Sequence, residues 1–238
     1  MHWWHRFLEL IYPPSCLSCL ARLPASTPLE LCAACERQLH AVPPPCCPRC
    51  GRHSSITLRD NDVCLTCRRT LPSFRTGAAA FEYAGALRDC IHRVKFDSHA
   101  RVGRALGARL AGIAQHRLSG SHDDLIIPIP LHPTRRRDRG FNQAELLARP
   151  IGEALRLPLE CRALRRVRPT DTQSRLAPDD RHANVAGAFR VEEASRVAGR
   201  RILLVDDVLT TGATADACSQ ALLAAGALSV DVLVLATN

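Results

Sequence analysis

The sequence has no run of about twenty apolar residues, the length a membrane-spanning helix needs. Its beginning also lacks the cleavage pattern of a secretory leader. Residues 1–12 do gather Trp3, Trp4, Phe7, Leu8, Leu10, Ile11 and Tyr12. That stretch is too short to span a bilayer. It reads as a short amphipathic helix packed on its own domain, with weak peripheral membrane contact through the two tryptophans as the lesser alternative. The expected location is therefore cytoplasmic, reaching at most the inner face of the membrane. In that compartment twelve cysteines are not a disulfide framework.

Lysine is nearly missing as well. Lys95 is the only one among 32 basic residues, so the formal net charge of +9 is an arginine charge. The skew reflects a GC-rich coding bias as much as function. A basic surface suits a polyanion, whether diphosphate, nucleic acid or anionic lipid, and charge alone does not choose among them. A hydrophobic content of 46% across 238 residues leaves room for one ordinary domain with a real core and a second, small one.

Residues 13–67 are poor in large apolar side chains and cannot fold on a core of their own. They carry instead four Cys-x-x-Cys pairs: Cys16 and Cys19, Cys32 and Cys35, Cys47 and Cys50, Cys64 and Cys67. Each pair puts two thiolates on one tight turn, and two turns complete a tetrahedral zinc site. In Cys47-Pro48-Arg49-Cys50-Gly51 the glycine permits the turn that points backbone N–H groups at the sulfurs. Eight thiolates make two closed structural sites. Sequential pairing is the simplest, and the spacing also allows an interleaved one. Redox chemistry is the rival for a single Cys-x-x-Cys, but four copies outside a thioredoxin-like context argue against it. Cys46, Cys90, Cys161 and Cys218 are left over, the last three read as small core residues.

A phosphate-binding Gly-Lys-Ser/Thr loop is absent, yet the chain has another way to hold a phosphate. Ile202 to Val205 is a run of branched and apolar residues typical of a strand buried on both faces. It is interrupted by Asp206 and Asp207, whose charges belong at the strand's carboxyl end. Thr210, Thr211, Gly212, Ala213 and Thr214 follow and feed an Ala-rich helix over residues 213–225. A short loop of small residues at a helix N-terminus offers free N–H groups and the positive end of the dipole to an anion. An acidic pair beside an anion cradle suits a diol next to a phosphate, and a ribose 5-phosphate has both. An ordinary strand–turn–helix would account for one Asp and one Thr, but not for the whole set.

Earlier in the chain, residues 68–76 read as a linker, with a ribbon region over 1–67 before it and an α/β domain over 77–238 after it. Gly77 to Tyr83 reads as a strand, and Leu87 to Val94 and Val102 to Ile113 as helices. Residues 124–130 form a second buried strand halted by prolines. An arginine-rich loop over 131–143 then precedes a helix from Ala144. Because it lies between a strand end and a helix, that loop is placed to clamp a pyrophosphate, with Arg139 favoured because Gly140 and Asn142 beside it suggest constrained backbone. The long polar segment after Cys161 reads as a lid, with Gln173, Arg181 and Asn184 in it. A mobile basic surface loop is the competing reading.

The stretch from Asp206 to Thr214 resembles the phosphoribosyl diphosphate (PRPP) signature of the type I phosphoribosyltransferases. In that family the two acids hold the ribose hydroxyls and the Thr-Thr-Gly loop holds the 5-phosphate. The whole chain resembles the ComF/GntX family of competence-associated proteins. The marks are the Cys-x-x-Cys set with Cys47-Pro48-Arg49-Cys50-Gly51, Lys95-Phe96, Pro128-Ile129-Pro130-Leu131, Arg139-Gly140-Phe141-Asn142-Gln143, Thr172-Gln173, Arg181, Asn184, Ala188-Phe189 and residues 206–214.

The resemblance implies a type I phosphoribosyltransferase-like, mainly parallel α/β sheet behind a double zinc ribbon. It implies two structural zinc ions, Mg²⁺ with PRPP or a ribose phosphate, and a role in natural transformation or the use of external DNA. The implied chemistry is displacement of pyrophosphate at C1 by an acceptor that the sequence does not name, with Arg139, assisted by Lys95 or Arg135, stabilising the charge that grows on pyrophosphate. No residue stands out as a general base, and with the last strand reaching the final residues no base-recognising hood is expected after it. The non-enzymatic alternative is a protein that binds single-stranded DNA or an uptake partner, with the sugar-phosphate pocket as a sensor. Against it, the ribbon has no cluster of exposed aromatics for base stacking.

Overall fold

Ile202, Leu203, Leu204 and Val205 are fully buried, and they form the middle of the sheet on which everything else rests. The computed structural model describes residues 15–24, 31–55, 62–96, 100–117, 122–170 and 180–238. The expected N-terminal helix over residues 1–12 and the lid residue Gln173 lie outside them. The chain pairs four strands in parallel: β1 (Thr76–Glu82), β2 (Leu125–Pro128), β5 (Arg201–Leu209) and β6 (Ser229–Thr237), in the order β1-β6-β5-β2. Strands β3 (Leu164–Arg166) and β4 (Phe189–Val191) form a separate antiparallel pair.

Parallel strands need covering on both faces, and alternation along each strand divides the core in two. On one face Leu203, Val205, Leu233, Ala78 and Ala80 meet α3 (Gly85–Phe96), α4 (Ala100–Arg117) and α6 (Gln143–Leu155) through Leu87, Ile91, Leu106, Leu147 and Ile151. On the other, Ile202, Leu204, Val232, Val234 and Ala79 meet the β3–β4 pair and α8 (Ala213–Ala224) through Cys218 and Leu222. Cys90 and Cys218 are fully buried as expected of small core residues. Cys161 is a correction: it is only half-buried, because it lies in the bend that leads into β3 rather than inside an element.

The ribbon is seated on the edge strand of this sheet, one half toward each face. Cys16, Leu17 and Cys35 join the core on the α3–α4 side. Cys47, Cys50 and Cys67 join the core on the α8 side, together with Phe74. Between them the backbone runs along β1: Val42 N–H donates to Ala80 O (3.1 Å) and Glu82 N–H to His40 O (2.9 Å). An open sheet edge is thereby covered. Gly51 lies so close to β1 that a Cβ there would stand 2.5 Å from the Gly77 carbonyl oxygen, and its φ is +72°. Only glycine meets both conditions. The segment after α2 (Leu65–Arg69), the helix that follows α1 (Ala33–Glu36) in the ribbon, is pinned rather than loose. Phe74 is buried, and Arg75 N–H donates to Val230 O at 2.7 Å.

Candidate functional site

The two cysteine groups are sequential. Sγ atoms of Cys16, Cys19, Cys32 and Cys35 all lie within 4.8 Å of one another, and so do those of Cys47, Cys50, Cys64 and Cys67. The Cys19–Cys32 and Cys50–Cys64 sulfurs are 3.7 Å apart. Tetrahedral Zn–S bonds of about 2.3 Å put sulfurs about 3.8 Å apart, whereas a disulfide needs about 2.05 Å. Backbone N–H groups support the sulfurs: Cys32 N–H donates to Cys16 Sγ (3.4 Å) and Cys64 N–H to Cys47 Sγ (3.3 Å). Such amides stabilise thiolate, and the Cys16 thiol is drawn down to about 6 by these bonds against the opposing effect of its burial. Both tetrads fit structural zinc, with no further position for a reacting group.

At the carboxyl end of β5 the two aspartates separate. Neighbouring strand residues point to opposite faces, and the surroundings follow that rule. Asp207, 6% exposed, turns to the α3–α6 face and pairs with Lys95 Nζ at 2.8 Å. Lys95 is the penultimate residue of α3. Burial works against its ammonium, but Asp207 and then Asp206 outweigh it and hold its pKa above the ordinary lysine value. Asp206 turns to the α8 face, into the field of Arg166 and beside Cys218. Its pKa is pushed up to about 7, first by burial and next by the Asp207 charge. Asp207 N–H closes onto Asp206 Oδ1 at 2.8 Å.

The arginine-rich segment expected to be a loop is a helix, α5 (Pro133–Arg139). His132 caps it by accepting from Thr134 N–H, Pro133 opens it, and Gly140 closes it at φ +81°. No atom lies within 4 Å of a Cβ built at Gly140, so the glycine is there for its backbone conformation. Helical spacing then sorts the arginines. Arg135 and Arg139 are half-buried on one side, while Arg136 and Arg137 are exposed. Arg139 Nη1 donates to Gln143 Oε1 at 2.5 Å. Its pKa is lowered by burial despite Asp207 nearby, with Arg135 adding to the lowering. Asn142 locks the corner: its Nδ2 donates to Ile129 O (2.9 Å) and its Oδ1 accepts from Ala144 N–H (3.1 Å) at the start of α6. The Arg-Gly-Phe-Asn-Gln element is thus a helix stop, a cap and a holder for Arg139.

Residues 210–212 form the turn into α8, and Ala213 and Thr214 are the first two residues of that helix. Gly212 is its N-cap at φ +90° with no side-chain cap bond. Thr211 Oγ1 accepts from Ala213 N–H at 3.4 Å, and Thr210, Thr211, Gly212 and Thr214 are half-buried while Ala213 is buried. Of the residues expected in a lid, Arg181 and Asn184 lie on α7 (Asp180–Val185), which Arg168 ties down by donating to the Asn184 and Ala186 carbonyls (3.0 and 2.8 Å). Lys95, Arg139 and Asp207 are therefore brought together. Arg135 stands beside Arg166, its Nη2 donating to Thr170 O at 3.1 Å.

Two residues of the site escaped the sequence reading. Arg166, 9% exposed, is stacked over Phe189 with its guanidinium carbon 5.3 Å from the ring centroid. Its alternation with Arg165 in a short strand is the only sequence signal for its burial. Arg52 of the ribbon donates to the Thr210 carbonyl oxygen at 2.9 Å, and nothing local in the sequence foretells that contact. Among the described residues no helix is long and apolar enough to cross a membrane.

A family model described as a double zinc ribbon domain matches residues 7–68. The DNA utilization protein YhgH of Escherichia coli K12 is 34% identical over 208 residues, covering 85% of this chain and 88% of that protein. Competence protein F of Haemophilus influenzae is 32% identical, covering 87% and 90%. Competence protein ComFC of Bacillus subtilis is 30% identical, covering 83% and 79%. Among solved structures, the glutamine PRPP amidotransferase of B. subtilis aligns at 22% identity and a TM-score of 0.38, over 58% of this chain and 26% of that one. With its sequential cysteine tetrads and with relatives matched over most of both chains, this chain belongs to the ComF/GntX family of competence-associated proteins.

Proposed function

We propose that the carboxyl edge of the sheet binds PRPP or a related ribose 5-phosphate, and that the protein serves the use of external DNA. One observation carries the reading: Asp206 and Asp207 lie near the carboxyl end of β5, one short turn before a helix start whose N-cap is a glycine and which is lined by Thr210, Thr211 and Thr214. The loop N–H groups and hydroxyls hold the 5-phosphate. The ribose lies across the end of β5, where the carboxylates meet its hydroxyls from two sides, Asp206 from the α8 side and Asp207 from the Lys95 side. The carboxylates are hard oxygen donors suited to Mg²⁺, which when bound supplies charge neutralisation for a pyrophosphate. Lys95 already neutralises Asp207 in the free protein. When a ribose hydroxyl engages Asp207, the ammonium is released to face the pyrophosphate beside Arg139, with Arg135 behind.

In the transfer itself the C1–oxygen bond to pyrophosphate breaks as an acceptor bonds to C1. Lys95 and Arg139 then stabilise the charge that collects on the departing group. Arg181 and Asn184, at the end of the segment read as a lid, shield the sugar from water. The link to DNA use rests on the relatives, which are named for competence and DNA utilization.

A non-enzymatic reading draws on the exposed side of α5, where Arg136 and Arg137 face solvent as phosphate contacts for single-stranded DNA. The experiment is calorimetric titration of PRPP with Mg²⁺ into the wild type and into Asp206→Asn with Asp207→Asn. Binding that the double variant abolishes supports the proposal. No binding by the wild type, together with a salt-dependent DNA mobility shift that the double variant retains, overturns it in favour of the second reading.

A further inference from the structure

The second tetrad does more than end a ribbon. Arg52 stands two residues beyond Cys50 and within the field of Cys50, Cys64 and Cys67. A zinc ion held by four thiolates is a net dianion, so a loaded site fixes the guanidinium from behind. From there Nη1 reaches a residue 158 positions away and donates to the Thr210 carbonyl oxygen. In a trans peptide the carbonyl and the following N–H point in opposite directions. Holding Thr210 C=O toward the ribbon therefore aims Thr211 N–H away from it.

Little else backs the loop on this side. A cleft of about 360 Å³ lies between Cys67, Thr70 and Phe74 of the ribbon side and His182, Thr211 and Gly212. Across it, Ser73 N–H ties the first turn of α8 by donating to Asp216 Oδ1 at 2.6 Å. Gln220 steadies that carboxylate by donating to Oδ2 at 3.0 Å. Side-chain packing does not fill this space, so hydrogen bonds fix the loop's orientation.

We propose that Arg52 is a positioning residue for the phosphate loop, passing the rigidity of the metal-loaded second tetrad to the Thr210–Thr211 peptide. The second zinc ion thereby sets how well the loop holds a phosphate, while the first does not. This rests on the loop's reading as a 5-phosphate cradle.

The test uses the full-length, zinc-loaded chain and Arg52→Gln, with zinc content checked by elemental mass spectrometry. Hydrogen exchange is followed over residues 205–217, and ribose 5-phosphate and pyrophosphate are titrated separately. Expected in R52Q are full zinc, exchange at the Thr211 and Gly212 amides faster by about tenfold, and ribose 5-phosphate binding weaker by about tenfold, the size of one net hydrogen bond. Pyrophosphate binding stays unchanged. Unchanged exchange in zinc-replete R52Q overturns the proposal, and so does an equal loss for both ligands. If the wild type ignores ribose 5-phosphate, the cradle reading falls while the exchange comparison still decides whether Arg52 holds the loop. Should R52Q shed zinc, R52K keeps the charge beside the thiolates and is read by the same measures.

Discussion

The two cysteine tetrads are alike in ligands, spacing and N–H···S support, yet they sit in unlike places. The first leans on α3: Ser18 Oγ donates to Asp89 at 3.2 Å, Arg93 donates back to Ser18 O at 3.4 Å, and Glu36 pairs with Arg109 of α4. It reaches the site through that helix, whose far end carries Lys95, and through α4, whose Gly103 and Leu106 share a cavity with Asp207. The second stands beside the turn over residues 210–212 and touches it through Arg52. One kind of local chemistry thus serves two ends, a brace for a helix and an anchor for a loop. The difference comes from the sheet, because the two halves of the ribbon lie on opposite sides of β1.

Removing metal should break both halves at once. A structural zinc contributes about 10–16 kcal/mol of apparent binding energy, against about 5–15 kcal/mol of net stability for a domain. A strong chelator should abolish cooperative unfolding measured by circular dichroism. Cys35→Ser and Cys50→Ser separate the halves. Each should release one zinc per chain, and only Cys50→Ser should lose ribose 5-phosphate affinity at a temperature where both remain folded.

Next in size is the ion pair that the first half supports at a distance. Lys95→Met leaves the Asp207 carboxylate without its counter-charge in a nearly buried place, a loss of about 3–5 kcal/mol visible in urea denaturation. Adding Asp207→Asn should recover most of it, since the stranded charge is then gone.

A smaller effect is tied to pH. The folded pKa of Asp206 is raised from 3.8 to about 7. The folded state therefore holds its proton more tightly than the unfolded chain, and this contribution, whole below about pH 4, is lost as pH rises through 7. Asp206→Asn should raise the melting temperature more at pH 8 than at pH 5. In the wild type, affinity for PRPP with Mg²⁺ should climb across pH 6–8 as the carboxyl ionises. Smallest of all, Ser18→Ala should cost about 1 kcal/mol and leave ligand affinity untouched, in contrast to Arg52→Gln.

Much of this architecture was legible in advance because it is local. Branched residues in a row made β5 and β2 recognisable, and tight Cys-x-x-Cys turns announced the tetrads. The Arg-Gly-Phe-Asn-Gln element is visible as constrained backbone, but the arginines from Arg135 to Arg139 read as a loop in sequence and fold as a helix. Their helix depends on the His132 cap and the Gly140 stop working together. Cys161 was assigned to the core on apolar neighbours alone, which do not reveal that it lies in a bend. Arg52 carries no local mark and Arg166 only its alternation with Arg165, because Arg52 meets Thr210 and Arg166 lies near Arg135 and Asp206, all distant in the chain.

By itself the sequence determined the elements whose cause lies within a few residues: the buried strands, the metal knuckles, the start of α8 and the acidic pair before it. Only the tertiary structure decided which face each aspartate serves, that Lys95 neutralises Asp207, and that the second tetrad rather than the first meets the loop. Those facts follow from how a parallel sheet alternates its side chains and from where the ribbon crosses its edge, and both are set by contacts between distant parts of the chain.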